Sequence, residues 1–264
     1  MMIAILKRRF LAVLMFACAG SSAWAQMQPL SDEELSQSRG QGLVAMTNTS
    51  LGGYDFSKIS LDADITLSAN FRNMRLGEYT YSSRNGTGAD IDMPYLQFGR
   101  SNGTDAQRTV QISNPYFEFV YQNAADGASR QVIGMRFGFD AISGDVGLKI
   151  NTLSGSMLVN GTDANGNPIT LDSHTDAGGG KRWDGSCTAP CLSLSQLGGV
   201  TAGDASGPSR DFWISVLKTG VQFPSAPGAP TSDPAQAGIW LNWRDKLTAL
   251  STNGLVPPNL PKGR

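Results

Sequence analysis

The residues of this sequence whose types and spacing best suit chemistry are four aspartates, arranged as two pairs. Asp62 and Asp64 lie two residues apart, and so do Asp90 and Asp92. Residues two apart on a β-strand share a face, so each pair presents two carboxylates together. On neighbouring strands the four could share a calcium ion; alternatively they form a solvated face whose charges deter edge pairing. They are calcium candidates only, and we predict no bound metal and no other cofactor.

Two cysteines form the second constellation. Cys187 and Cys191 stand in "GSCTAPCLSL", and the remaining cysteine, Cys18, lies near the start of the chain. A Cys-x-x-Cys redox pair has a shorter spacer, and zinc needs more soft ligands, whereas His174 is the only histidine. We therefore predict a structural disulfide between Cys187 and Cys191, which requires an oxidising compartment.

Catalytic motifs are few in this sequence. It has neither a Gly-x-Ser-x-Gly elbow nor a glycine-rich phosphate loop, and His174 lies in a glycine-rich stretch where a solvated side chain is expected. Glutamate occurs only at Glu33, Glu34, Glu78 and Glu118, which limits the choice of carboxylate pairs for glycoside cleavage. We predict that the protein is not an enzyme.

The elements that must position these residues are strands. Apolar and polar residues alternate through "ISLDADITLSANF" from Ile59 to Phe71, which predicts one long, half-buried strand. Residues 114–139 predict a hairpin, and "DANGNP" predicts a turn, because Asn-Gly is a preferred turn pair. Residues 171–210 lack periodicity and predict an irregular insertion, stapled by the disulfide. The predicted fold is all-β, an antiparallel β-sandwich or β-roll with a short N-terminal helix, in a single domain over residues 43–264.

The first 25 residues have the features of a secretory signal peptide. Lys7, Arg8 and Arg9 precede an apolar run, which ends in Ala23-Trp24-Ala25. Without these residues the chain has 18 basic and 22 acidic residues and no basic stripe, so nucleic acid is not an expected partner. No later run approaches the 18 or so apolar residues of a membrane helix. We expect an exported protein without a transmembrane helix, located in the periplasm, at the outer membrane surface or outside the cell.

Residues 26–42 contain a helix start signal. Ser31 as N-cap and Glu34 as third helical residue form a capping box, with Leu30 and Leu35 at the staple positions. About eight residues are too few for an isolated helix, so this turn must dock, either on its own sheet or on a partner. Leu30, Ser31, Glu34 and Leu35 are therefore the candidate docking turn.

The stretch "LSDEELS", followed by Gly40-Gln41-Gly42, resembles the mature N-terminus of a family of uncharacterised exported proteobacterial proteins. Some of these are described as pilus-system proteins similar to FilA. The texts "NPYFEF", "IGMRFGF", "CTAPCLSLSQL" and "DFWIS" are also similar to that family. The resemblance implies a pilus-linked envelope protein and brings no catalytic residues.

We therefore predict a non-enzymatic structural or interaction protein of the cell envelope, with a protein partner there and an undetermined oligomeric state. The alternative is a periplasmic carrier that binds a lipid or glycan between its sheets, because the aromatic residues could line a groove instead of filling a core. An outer-membrane barrel also shows alternating strands, but the irregular strand lengths and the "PPNLPKGR" ending disfavour it.

Overall fold

The described residues fold into β-strands joined by turns and coil. The structure is a computed structural model and describes residues 43–81, 86–123, 129–225 and 228–261. The strands in chain order are β1 (Val44–Leu51), β2 (Tyr54–Leu61), β3 (Asp64–Leu67), β4 (Ala69–Tyr81), β5 (Gly86–Phe98), β6 (Val110–Asn123), β7 (Arg130–Lys149), β8 (Thr152–Leu153), β9 (Gly155–Thr162), β10 (Pro168–Asp172), β11 (Val200–Ala202), β12 (Trp213–Leu217), β13 (Gly238–Trp243) and β14 (Leu247–Ala249). The predicted all-β class is confirmed. The predicted helix in residues 26–42 lies outside the described residues.

Six of these strands close into a barrel. Each pairs with the next in the order β7, β11, β14, β9, β13, β12, and β12 pairs again with β7. The predicted sandwich or roll is therefore wrong, because the long strand β7 pairs with both β11 and β12 and so joins the two ends of the path. The pairing is mostly antiparallel, but β9 runs parallel to β13 and β14.

Strand β7 is twenty residues long and bends at one glycine. Gly144 has a φ of +118°, a conformation that side chains with a Cβ rarely adopt. Up to Ser143 the strand pairs with β6. From Val146, which lies opposite Phe98, to Lys149, which lies opposite Tyr95, it pairs with β5. The strand therefore changes partners at the bend while its backbone ladder continues.

The predicted long strand from Ile59 to Phe71 is divided in the structure. Strand β2 ends at Leu61, β3 spans Asp64–Leu67, and β4 begins at Ala69. Alternation persists because β2 and β3 both pair with β6, whereas β4 leaves to pair with β5. The alternation indicated strands correctly, but it placed Ile59 on the buried face. In β2 the buried face carries Phe56, whereas Ile59 lies in a row with the exposed Met46 and Phe117. The alternation also could not show the change of partner.

Two connections follow from local sequence. The predicted hairpin of residues 114–139 is confirmed as β6 and β7, with a register shift between Val120 and Tyr121. The predicted turn at "DANGNP" joins β9 to β10, where the Asp163 carboxylate accepts hydrogen bonds from the backbone of Asn165 and Asn167. A hydrogen bond from the Asn167 side chain, followed by these backbone bonds, lowers the pKa of Asp163. The motif is thus a hairpin turn.

Two apolar clusters lie on opposite faces of the sheet. The larger contains buried residues from five of the barrel strands, among them Val146, Met157, Leu241 and Trp243, and Ile214 of β12 packs against it. The smaller joins side chains of the sheet to side chains of the coil that follows β12. It consists of Phe56, Val120, Ile133, Trp213, Leu217, Val221, Phe223, Ala235 and Trp240. At about 25 cal/mol per Å² of buried apolar surface, these clusters are the main stabilising contribution.

The predicted irregular segment of residues 171–210 is largely coil, but it packs on the barrel. Leu192, Leu194 and Leu197 are almost fully buried, and β11 near its end belongs to the barrel. The predicted disulfide between Cys187 and Cys191 is present. It closes a short loop, so the entropy it removes from the unfolded chain is small compared with that of a long loop.

Candidate functional site: an open edge strand

Strand β1 is the most open element of the described structure. All eight of its residues are exposed, and among the described strands it pairs with β2 alone. Its sequence, VAMTNTSL, contains no charged residue, glycine or proline. A strand of this kind presents a row of unpaired backbone groups that another extended chain can bind.

The other free edges in the described ranges carry features that discourage such pairing. Strand β4 has charges at Arg72, Arg75 and Glu78 and a positive φ at Asn73 and Gly77. Strand β10 begins with a proline, which cannot donate a ladder bond, while β3 and β8 are only four and two residues long. Charges, bends, prolines and short lengths are the usual protections of sheet edges, and β1 has none of them.

The direction of each β1 backbone group follows from one hydrogen bond. The amide of Asp62 donates to the carbonyl of Leu43 at 2.9 Å, in the same register that pairs Val44 with Leu61. Because hydrogen-bonded and non-bonded pairs alternate in an antiparallel ladder, odd-numbered β1 residues bond to β2. The amide and carbonyl groups that point away from β2 belong to Val44, Met46, Asn48 and Ser50.

An apolar row extends from β1 across the sheet. Met46 lies opposite Ile59, Ile59 opposite Phe117, and Phe117 opposite Phe137. Met46 is 66%, Phe117 54% and Phe137 39% exposed, and the two phenylalanine rings are 6.1 Å apart. We call Met46, Ile59, Phe117 and Phe137 the apolar row. Contiguous exposed apolar surface of this kind is typical of binding surfaces.

The structure does not bring the four predicted aspartates into one group. Asp62 and Asp64 are exposed near β3, whereas Asp90 and Asp92 lie on β5. No group of three or more His, Cys, Asp or Glu side chains within the described ranges could hold a metal ion. Their separate contacts are Ser113 with Asp64 at 2.5 Å, Lys181 and Arg182 with Asp90 at 3.2 and 3.4 Å, and Arg75 with Asp92 at 3.8 Å.

The candidate docking turn of Leu30, Ser31, Glu34 and Leu35 lies outside the described residues.

His174 is half exposed, and its Nδ1 lies 3.4 Å from the Asp233 carboxylate. The hydroxyl of the fully buried Ser156 donates to the same carboxylate. The carboxylate thus stands between serine and histidine, which differs from the order of a serine nucleophile activated by histidine.

Arg244 connects this cluster to Asp172. Its two terminal nitrogens donate to the two Asp172 carboxylate oxygens at 2.8 and 3.2 Å, and one also donates to Ser156 at 3.0 Å. Burial alone would raise the pKa of Asp172, but the hydrogen bonds and charge of Arg244 outweigh burial and lower it. The bidentate contact therefore favours the ionised carboxylate in the folded protein.

We expect the substitution Asp172→Asn to change how stability depends on pH. The folded pKa of Asp172 is below its ordinary value of 3.8, so its contribution is present above that value and lost as pH falls through the folded pKa. The variant should be less stable than the wild type at neutral pH, and the difference should shrink in strong acid. Denaturant unfolding across this range measures the difference, and a constant gap would contradict the assignment.

Sequence reasoning missed β1 and the charged groups that the sheet brings together. The sequence Gly52-Gly53, with a positive φ at both residues in the structure, is a two-residue hairpin turn and could have revealed β1. Glu118 lies opposite Arg136 in the hairpin of β6 and β7, a register that the predicted hairpin did not specify. The contacts of Arg136 with Trp213 and Phe223 had no local signal.

No protein-family model, curated protein or solved structure matches the chain. Within the described ranges, no helix has the length and apolar character needed to cross a membrane. Any function assigned to this chain therefore has to be argued from its own residues.

Proposed function

We propose that this chain is a non-enzymatic interaction protein of the cell envelope that accepts an extended segment of a protein partner at β1. The observation that carries the proposal is the exposed edge strand without charge, bend or proline. Backbone hydrogen bonds from Val44, Met46, Asn48 and Ser50 would supply affinity, because strand addition uses the partner's main chain.

The apolar row supports a particular chemistry for that segment. A side chain of the added segment that lies opposite Met46 would extend the apolar row, which continues from Met46 to Ile59 and Phe117. An incoming strand with apolar residues at alternate positions would therefore bury its own side chains and the exposed Met46 together. The export signal predicted from residues 1–25 and the disulfide favour an oxidising compartment, and the family resemblance favours a pilus-system partner.

The alternative function, that of a carrier, could concern either a lipid or a glycan. An acyl chain needs a continuous apolar cavity, whereas the apolar void between β4, β5 and the barrel strands is about 30 Å³, the room of one or two water molecules. A lipid between the sheets is therefore disfavoured. A glycan would need a different site, a cleft lined by charged, hydroxyl and aromatic side chains.

The proposal is tested by placing charge on the edge. We expect the double substitution Met46→Lys and Asn48→Lys to release the protein from envelope fractions or from high-mass complexes, because lysine on an edge opposes strand pairing. The matched control carries the same two charges at exposed threonines on other strands, Thr66→Lys and Thr80→Lys. If wild-type protein extracted from the envelope fraction sediments only as a free monomer, the proposal is contradicted.

A further inference from the structure

A cleft lined by charged, hydroxyl and apolar side chains lies on the opposite face of the same sheet. It is a cavity of about 330 Å³, and Thr47 and Thr49 of β1 form one wall. A single row of side chains crosses its floor, because Thr47 lies opposite Lys58, Lys58 opposite Glu118, and Glu118 opposite Arg136. The cleft volume is at the lower end of the range for small-molecule sites.

The cleft offers hydrogen-bond donors and acceptors in balance. Arg136 and Glu118 are both almost fully buried and form an ion pair at 2.5 Å, and Lys58 pairs with Asp140 at the same distance. Arg210 and Asp211 also line the cleft, so both signs of charge are present. Burial raises the pKa of Asp211. Because neither positive nor negative charge is in strong excess, the cleft does not favour an ionic ligand of one charge.

Aromatic surface accompanies these charges. Tyr116 and Trp213 line the cleft, and the Lys58 ammonium lies 4.2 Å from the centre of the Tyr116 ring. Burial, as the largest cause, raises the pKa of Tyr116 to about 12, so its hydroxyl stays protonated at physiological pH. Hydroxyl groups and aromatic surface in one cleft suit a ligand that has both polar groups and apolar C–H faces.

One buried hydroxyl group that borders the cleft lacks a hydrogen-bond partner. The side chain of Ser232 is 7% exposed and lines the cleft, but its oxygen has no hydrogen-bond partner among the described residues. Leaving a buried polar group unpaired costs roughly 1–3 kcal/mol, so such groups are usually paired in complete complexes. Arg210 likewise lines the cleft.

We propose that this cleft binds a hydroxyl-rich ligand, one or two sugar rings of a glycan, through Glu118, Arg136 and Ser232. A sugar hydroxyl donates and accepts, so it can bond to a carboxylate, a guanidinium and the unpaired serine at once. The site is separate from the β1 edge groups, because Asn48 and Met46 face the other side of the sheet from Thr47. It does not rest on strand addition.

The test is a titration of isotope-labelled protein, followed by amide NMR signals. The probes are maltose, cellobiose and N,N′-diacetylchitobiose, which distinguish plain glucose chains from the amino-sugar chains of cell walls, with acetate as an ionic probe. We expect at least one sugar to shift the amide signals of Thr47, Thr49 and Ser232, and Ser232→Ala to weaken its binding about three- to tenfold. Thr66→Val, a change on an exposed strand elsewhere, should leave the affinity unchanged.

Two results would overturn the proposal. One is the absence of shifts at these three amides with every sugar at about 50 mM, a concentration that reveals even millimolar affinity. The other is a response to acetate alone, which would make the cleft an anion site. Neither result bears on the β1 edge, and the double lysine variant of Met46 and Asn48 should keep its sugar binding.

Discussion

Replacing Arg136 with methionine should lower the free energy of unfolding by about 3–5 kcal/mol, the cost of leaving one member of a buried ion pair without its partner. Arg136 and Glu118 are 6% and 3% exposed, so water solvates the remaining carboxylate only weakly, at the small area that borders the cleft. Arg136 also donates to the carbonyl of Pro224 at 3.0 Å, and its guanidinium lies over the ring of Phe223 at 4.4 Å. The loss therefore includes a loop contact and aromatic packing.

The double variant Arg136→Met with Glu118→Leu is the control. It removes both charges and keeps apolar volume, so it should recover most of the lost stability. Urea unfolding of the three proteins gives the comparison. A single variant that costs less than about 1 kcal/mol, or a double variant less stable than the single one, would show that the pair is not the stabilising feature.

Replacing Met46 with proline should reduce partner binding about 10- to 100-fold, because it removes an outward-pointing amide that an added strand needs. The same change should alter the stability of the free protein by less than about 1 kcal/mol, since the Met46 amide does not bond to β2 and proline is tolerated on edges. The yield of cross-linked adduct from a photoreactive amino acid in place of Asn48 reports the binding in cells.

Met46→Ala is the matched control for this substitution. It removes the same exposed side chain but keeps the backbone amide, so it should lose only the contribution of the apolar row. If alanine and proline reduce the adduct equally, the side chain carries the binding and backbone pairing does not. If the proline variant unfolds, the inferred direction of the β1 amides is wrong.

Local parts of the fold could be predicted from sequence. The hairpin of β6 and β7, the turn after β9 and the disulfide each depend on residues that are close in the chain. Asn165-Gly166 and the spacing of Cys187 and Cys191 contain the required information themselves. In such cases the physics of a short segment decides the structure.

Closure of the barrel could not be predicted, because it depends on pairs that are distant in sequence. Met157 on β9 lies beside Trp243 on β13, and Val200 on β11 lies opposite Val146 on β7. Alternation shows which face of a strand is buried, but not which strand lies next to it. The same limit hid the division of the long strand between Leu61 and Ala69.

The candidate site shows the same contrast. The hairpin turn at Gly52-Gly53 was present in the sequence, but the openness of β1 is a property of the whole sheet. The row of Lys58, Glu118 and Arg136 depends on two registers, of which only the second lies within a recognisable hairpin. The calcium candidates share a spacing, yet their strands have different neighbours.

The central claim, that β1 accepts an extended segment, is tested most directly by the register of its cross-links. Photoreactive residues in place of Val44, Met46, Asn48 and Ser50 would be introduced one at a time, and the attachment sites mapped by mass spectrometry. If a strand is added, the attachment sites should lie in one segment of one partner and should move by two residues each time the photoreactive residue moves by two. Attachment sites within Val44–Leu51 would identify that partner as a second copy of this chain. Attachment sites without that order, or spread over unrelated proteins, would contradict the claim.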